Sequence, residues 1–158
     1  MANTQSMCTS FMGELMTATH NFGVAPIRAA TTADTFKAAL YLASATINAS
    51  TTAYSATGEV TGTNYTAGGV SVTNATAPIA TNSSVTAGVA YWTPSASITY
   101  TTVTLSTAFD CVLIYNSTQS NKAVSVHTFG SQTITAGTFT LTMPTNNTTT
   151  ALLRLSTT

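Results

Sequence analysis

The sequence predicts a mainly β protein, an antiparallel β-sandwich of immunoglobulin-like or jelly-roll-like type preceded by one N-terminal amphipathic helix. Three observations support this fold class. From residue 34 onward, apolar side chains recur with a period of two in about eight short runs. Turn-forming stretches rich in Gly, Pro, Asn and Ser separate these runs, with no helical pattern between them. Thr, whose branched side chain suits extended backbone, makes up 37 of the 158 residues.

A single amphipathic helix is predicted over residues 6–22, within an N-terminal arm of residues 1–24. Five apolar side chains lie on or beside one stripe of this helix: Phe11, Met12, Leu15, Met16 and Phe22. Gly23 follows at a position where helices often end. The apolar stripe must be buried, either against the sheet of this chain or against a neighbouring subunit. We therefore predict that these five residues form a docking or oligomer interface.

A linker of residues 25–33 and a β-domain of residues 34–158 follow the arm. The linker contains Pro26 and lacks any apolar period. The clearest strand of the domain alternates Phe139, Leu141 and Met143 with threonines, as a half-buried strand requires. The strands are predicted at 35–42, 69–73, 88–93, 97–105, 111–115, 123–129, 138–143 and 151–155. Many short strands without alternating helices favour a sandwich over a parallel sheet.

Formal charge is scarce in this chain. Only 5% of residues are charged and the signs cancel to zero, whereas roughly a quarter are charged in an ordinary domain. Without a basic surplus, nucleic acid and membrane surfaces are poor partners. No apolar run is long enough to span a membrane, and no secretory signal is recognisable. A net charge near zero leaves little repulsion between copies, which favours self-association or docking onto a neutral surface.

No catalytic constellation is recognisable among the two histidines and four acidic residues. His20 is interpreted as a helix C-cap and His127 as a partly exposed surface residue. Asp34 and Asp110 are interpreted as turn residues at strand starts. A triad of His20, Asp110 and a serine stays formally open, but no sequence feature favours it. The protein is therefore predicted not to be an enzyme and to have no catalytic, cofactor-binding or metal site.

Glu14 and the aromatic residues are the remaining candidates for binding. Glu14, the only charge in the predicted helix, is expected to face water rather than a basic partner in an assembly. Tyr91 and Trp92 are neighbours in a predicted strand, so one ring faces the core and the other faces outward. The outward ring is grouped into a candidate aromatic contact patch with Tyr41, Tyr54 and Tyr65. A core or subunit-interface role is favoured over carbohydrate binding for this patch.

Short motifs occur in a characteristic order along most of the chain. They are Cys8-Thr9-Ser10-Phe11, Glu14-Leu15, His20-Asn21-Phe22, Asp34-Thr35-Phe36-Lys37-Ala38-Ala39-Leu40-Tyr41, Thr51-Thr52-Ala53-Tyr54, Gly58-Glu59-Val60-Thr61-Gly62, Tyr65-Thr66-Ala67-Gly68-Gly69, Leu113-Ile114-Tyr115-Asn116-Ser117, Asn121-Lys122-Ala123-Val124, Phe129-Gly130 and Ala136-Gly137-x-Phe139. In their order and spacing these motifs resemble a family of small virion structural proteins of tailed bacteriophages.

The resemblance implies a particle component without enzymatic activity. We expect a capsid decoration or cement protein that binds and stabilises the assembled major capsid shell on the outer surface of the virion, after synthesis in the bacterial host cytoplasm. The expected partners are the major capsid protein and further copies of this chain, with a trimer preferred because shell lattices offer threefold positions. No nucleic acid, membrane or cofactor is expected to take part. Two alternatives stay open: a tail- or fibre-associated structural protein, and a β-module that binds glycans on the host surface.

Overall fold

The fold is mainly β and contains two antiparallel sheets. The computed structural model of the chain describes residues 3–16, 19, 20, 22, 33–74, 78–81 and 88–156. Its elements are β1 (Ser6–Met7), α1 (Thr9–Met16), β2 (Phe36–Leu42), β3 (Val70–Ser71), β4 (Ile79–Ala80), β5 (Val89–Trp92), β6 (Ile98–Asn116), β7 (Lys122–Leu141) and β8 (Leu153–Ser156). The five-stranded sheet has the order β1-β7-β6-β2-β3, and the three-stranded sheet has the order β4-β5-β8. The β class and the antiparallel pairing confirm the prediction at this level.

A long hairpin of β6 and β7 forms the centre of the larger sheet, with strands of 19 and 20 residues. Its turn end pairs Asn116 with Lys122. Each strand joins two of the predicted short runs: 97–105 and 111–115 in β6, and 123–129 and 138–143 in β7. The register shifts several times along the pair, and each shift breaks the period of two without ending the strand. The strand ends predicted inside the hairpin were therefore wrong.

Strand β2, which lies between β6 and β3 in the larger sheet, is enclosed on both faces. Residues 38–41 are completely buried. The loop between β2 and β3 covers the edge of β2, where the Leu40 N–H donates to the Tyr65 hydroxyl at 3.0 Å. Gly69, at the end of that loop, has a φ of 71°, and a Cβ there would overlap the Ala38 carbonyl oxygen. Only glycine tolerates both the conformation and this close approach.

The N-terminal helix is shorter than the predicted span of 6–22, because α1 has only eight residues. The residues before it pair with β7 as strand β1, so their backbone groups are satisfied by a sheet and not by a helix. After α1, the Thr19 N–H donates to the Glu14 carbonyl at 2.8 Å, which closes a wider turn than an α-helix has. The prediction of a long amphipathic helix was therefore wrong. No helix in the described part of the chain has the length and apolarity that crossing a bilayer requires.

The described residues of the predicted arm share the core of the β-domain. Asn3 Oδ1 accepts a hydrogen bond from the Ile47 N–H at 2.9 Å, and Asn3 Nδ2 donates to Asp110 Oδ1 at 2.6 Å. Together with the pairing of β1 and β7, these bonds attach the N-terminus to the large sheet. The predicted linker at 25–33 stays a prediction, because residues 23–32 lie outside the described part of the chain.

Candidate functional site

An apolar groove, called the α1 groove below, lies between α1 and the three-stranded sheet. It has a volume of about 80 Å³. Its lining includes Phe11, Leu15, Phe22, Trp92, Leu153 and Leu155. Leu153 and Leu155 occupy alternate positions of β8 and so share one face. Their partners across the strand pair are Trp92 and Ala90 of β5, which lie on the same face. The small sheet therefore supplies one wall of the groove, and the N-terminal segment supplies the other.

Aromatic rings that line the α1 groove pack against one another and against Phe36. Phe22 and Phe36 stack with their ring centroids 4.4 Å apart, and Phe22 meets Trp92 edge-on at 4.8 Å. Phe11 contacts Phe22 at a centroid distance of 5.9 Å. Ring contacts of this kind add to the stabilisation from burial alone. Phe22 thus links the N-terminal segment to the large sheet through Phe36 and to the small sheet through Trp92.

The five residues predicted as a docking interface have different positions in the structure. Phe11 and Phe22 are only 2% and 6% exposed, so they belong to the core of the chain. Leu15 is half-buried against the core, and Met12 is 50% exposed. The side chain of Met16 lies outside the described residues. The docking role of the set stays a prediction, and among the described side chains only Met12 and Leu15 are accessible enough for it.

Leu155 is a rim residue of the α1 groove that the sequence analysis did not single out. It is 42% exposed although it lines an apolar groove. The alternation within the predicted strand 151–155 already places it on the same face as Leu153. The alternation does not predict that α1 lies opposite that face. An accessible leucine at an apolar groove is a suitable contact for an apolar side chain of another protein.

A chain of hydrogen bonds, called the N-terminal clasp below, ties the end of α1 to the turn of the β6–β7 hairpin. Its members are Glu14, His20, Asp34, Asn116 and Lys122. Lys122 Nζ donates to Glu14 Oε1 at 2.7 Å, and His20 Nε2 lies 2.7 Å from Glu14 Oε2. The Asn116 amide donates to His20 Nδ1, at 3.1 Å, and to Asp34 Oδ2, at 2.8 Å. Because His20 Nδ1 accepts, Nε2 carries the proton that is donated to Glu14.

The clasp corrects the interpretation of two residues. The Glu14 side chain is 14% exposed and pairs with Lys122 of its own chain, so it does not simply face water. His20 is buried and bridges Glu14 and Asn116, so it is not a helix C-cap. The carboxylate that contacts His20 belongs to Glu14, whereas the Asp110 carboxylate accepts a hydrogen bond from the Asn3 side-chain amide. A triad of His20, Asp110 and a serine is therefore not assembled.

The protonation states of the clasp follow from its geometry. Burial lowers the pKa of His20, although the hydrogen bond to Glu14 acts in the opposite direction. Burial alone would raise the pKa of Glu14, but the hydrogen bonds from Lys122 and His20 outweigh it and lower that pKa. A neutral imidazole between an amide donor and a carboxylate acceptor is the form that satisfies both ring nitrogens. The clasp is thus a structural network in which the His20 ring has both nitrogens occupied.

A second polar feature, within β7, joins Ser125 and His127. Ser125 Oγ lies 2.9 Å from His127 Nε2, and both residues line a cavity of about 250 Å³ between β7 and β8. Burial lowers the pKa of His127 to about 4, so the ring is neutral near pH 7. Ser125 is almost completely buried. His127 is half-buried, which agrees with its interpretation as a partly exposed residue.

A third polar feature centres on Glu59, which the sequence analysis missed. Its buried carboxylate accepts hydrogen bonds from the Tyr54 and Tyr65 hydroxyls, both at 2.7 Å, and from the Gly68 N–H at 2.8 Å. Burial and the hydrogen bond to Glu59 raise the pKa of Tyr54 to about 12. The available signal was that Glu59 is the only charged residue between Lys37 and Asp110. A lone charge in such a neutral segment indicates that specific hydrogen-bonding groups of the protein bind it.

Tyr41, Tyr54 and Tyr65 do not form the predicted aromatic contact patch. Tyr41 is completely buried and donates to the Ser55 carbonyl at 2.6 Å, and Tyr54 and Tyr65 are half-buried against the core. These hydroxyls hold the loop between β2 and β3 on the sheet, so they are committed to the fold. Trp92 faces the core, and its neighbour Tyr91 is half-buried, as the alternation predicts.

Comparisons with known protein families, with curated protein sequences and with solved structures gave no match. Within the described ranges, no three His, Cys, Asp or Glu side chains are grouped as metal ligands would be. The concave features described for this part of the chain are the α1 groove and the cavity between β7 and β8.

Proposed function

We propose that the protein is a non-enzymatic structural protein of a tailed-bacteriophage virion, and that it decorates and cements the assembled capsid by binding the major capsid protein. The order of the sequence motifs supports the virion assignment. The observation that carries the docking role is the α1 groove, an apolar site with an accessible rim at Leu155 on a chain with a formal net charge of zero.

The proposed contact inserts an apolar side chain of a capsid subunit into the α1 groove. The groove volume of about 80 Å³ suits one side chain better than a whole helix. Burial of one such side chain contributes about 1.5–3 kcal/mol, which is modest for a single contact. Many copies on one shell multiply this small stabilisation, and a neutral surface avoids desolvating ions at each contact.

The architecture suits a rigid surface component. In this proposal the two sheets form a β-sandwich of immunoglobulin-like or jelly-roll-like type, with Trp92 of the small sheet packed towards Phe36 of the large one at a centroid distance of 6.1 Å. The Glu59 network and the N-terminal clasp fix the loops and the N-terminus. The protein is made in the host cytoplasm and carried on the outer capsid surface, where its partners are the major capsid protein and further copies of the chain.

Quantitative gel analysis of purified particles tests the proposed function. We expect the chain at a fixed, high copy number relative to the major capsid protein. Absence from purified particles contradicts the virion assignment altogether. Presence at a few copies per particle contradicts the cement role and supports a tail- or fibre-associated protein. Specific retention of the free protein on a glycan array, without particle association, supports the glycan-binding module.

A further inference from the structure

The outer half of β7 is an edge strand. β1 pairs with β7 only at Val126 and Ser125, and β6 occupies the other side of β7 along its length. In the described part of the chain, no strand pairs with the free side of residues 130–141. The N–H and C=O groups on that side are therefore positioned to accept another extended strand.

This edge lacks the side chains that commonly prevent strands from pairing with other chains. Residues 123–153 contain no Asp, Glu, Lys or Arg, and no proline precedes Pro144 in that stretch. Natural edge strands are often protected by Lys, by inward-pointing charges or by Pro. Thr138 and Thr140 are exposed, and the alternate residues Phe139 and Leu141 are half-buried on the core side. One face of the strand segment 138–141 therefore packs on the core, and its opposite, exposed face carries no charge.

Bulges are the one protective feature that the edge does have, and they limit its usable length. The register of β7 shifts between its pairing partners Gly137 and Ile134 and again between Gln132 and Thr128, and Ala136 has a φ of 47°. A further shift lies between the pairs Tyr100–Phe139 and Val103–Gly137, but its extra residue is on β6, so β7 keeps its period of two from Gly137 to Leu141. Residues 137–141 therefore form the regular part of the free edge.

We propose that residues 137–141 pair antiparallel with the same residues of a second copy of this chain, about a twofold axis. A twofold pair of this kind needs only one segment, which is present on every copy. Because the segment is uncharged, two copies meet without like-charge repulsion, and a charged partner gains no complementary contact there. The exposed threonines of the two copies become cross-strand neighbours, a pairing that stabilises antiparallel sheets. The inference does not depend on the proposed function.

The expected complex is a reversible dimer, since a short paired edge buries less area than a permanent interface. Sedimentation equilibrium of the full chain over a concentration series measures it directly. The wild type should approach twice its monomer mass of 16.2 kDa as concentration rises. Thr138→Lys and Thr138→Glu should each weaken association by about fivefold, because each places two like charges diagonally across the facing strands. A mixture of the two variants should dimerise again.

Thr107→Lys is the matched control, since Thr107 is an exposed threonine of the partner strand β6. It should dimerise like the wild type, and circular dichroism should show that all variants are folded. A wild type that stays monomeric up to about 1 mM, near the limit of weak specific association, overturns the proposal. So does a Thr138→Lys variant that dimerises as tightly as the wild type, or a trimer in place of a dimer. Each of these outcomes is independent of whether the chain is found on particles.

Discussion

The Glu14 carboxylate accepts a hydrogen bond from the Lys122 ammonium at 2.7 Å, across 108 positions of sequence. Glu14 lies in α1, and Lys122 opens β7 at the turn of the long hairpin. The same carboxylate also binds His20, so that one acidic side chain holds two segments of the chain together. This contact makes the N-terminal segment part of the β-domain.

Glu14→Gln should lower the free energy of unfolding by about 1–2 kcal/mol, because it removes a partly buried, charge-assisted hydrogen bond. Asp110→Asn is the matched control, since the amide oxygen of the new side chain can still accept from Asn3 Nδ2. That control should change stability by no more than about 0.5 kcal/mol. Urea denaturation measures both variants. Equal losses in the two variants would mean that the bond to Lys122 contributes nothing specific.

Stability should decrease on mild acidification. Burial lowers the pKa of His20, and it lowers that of His127 to about 4, whereas both titrate near about 6.5 in the unfolded chain. Between these values the unfolded chain binds more protons, so the stabilisation is complete above about pH 6.5 and is lost as the pH falls towards the folded values. The groups that face His20 are Glu14, Asp34 and Lys122.

The expected loss for His127 is about 1 kcal/mol between pH 7.5 and pH 5.5, and His20 adds to it in the same direction. Urea denaturation at the two pH values measures it, and His127→Asn should remove part of the pH dependence. The same free energy of unfolding at both pH values would show that neither imidazole is held neutral by the fold.

Phe22→Ala should cost about 3–5 kcal/mol, as expected for a large side chain removed from a packed core. Phe22 is 6% exposed and stacks on Phe36 at 4.4 Å. Met12→Ala is the control from the same segment, because Met12 is 50% exposed, and it should change stability by less than about 0.5 kcal/mol. Thermal and urea denaturation separate the two. A Phe22→Ala protein as stable as the wild type would indicate an N-terminal segment that is detached in solution.

Gly69→Ala should destabilise the protein by more than about 1 kcal/mol, since φ at this position is positive and a Cβ meets the Ala38 carbonyl. Gly130→Ala provides the contrast, because a Cβ at Gly130 meets no atom within 4 Å. That substitution should be neutral or slightly stabilising. If both variants unfold at the wild-type midpoint, the loop between β2 and β3 does not approach β2 as closely as described.

The elements that the sequence predicted well are those whose signal is local. The alternation of Phe139, Leu141 and Met143 with threonines identified a strand because successive side chains of a strand point to opposite faces, and only one of these faces is buried. The continuity of β6 and β7 was missed, since a bulge reverses the alternation without ending the strand. The helix was overextended because the pairing of β1 with β7 depends on residues far away in sequence.

The candidate site was less accessible to sequence reasoning than the fold. The stripe containing Phe11 and Leu15 was recognised, but its partner wall, with Leu153 and Leu155, comes from the last described strand. Glu59 was missed for a similar reason, since its tyrosine donors form a cage only after the loop has folded back on β2. Contacts of this kind join residues that are far apart in sequence, so they leave no periodic pattern that a single sequence reveals.

The stability of the capsid shell tests the proposed cement role most directly. Particles stripped of this protein should open at a lower temperature than intact ones, and adding back the wild-type chain should restore the original opening temperature, because a ligand of the assembled shell stabilises it by mass action. Leu155→Glu, which places a charge at the rim of the α1 groove, should fail to restore it, whereas the surface control Thr107→Glu should succeed. Stripped and intact particles that open at the same temperature would contradict the account.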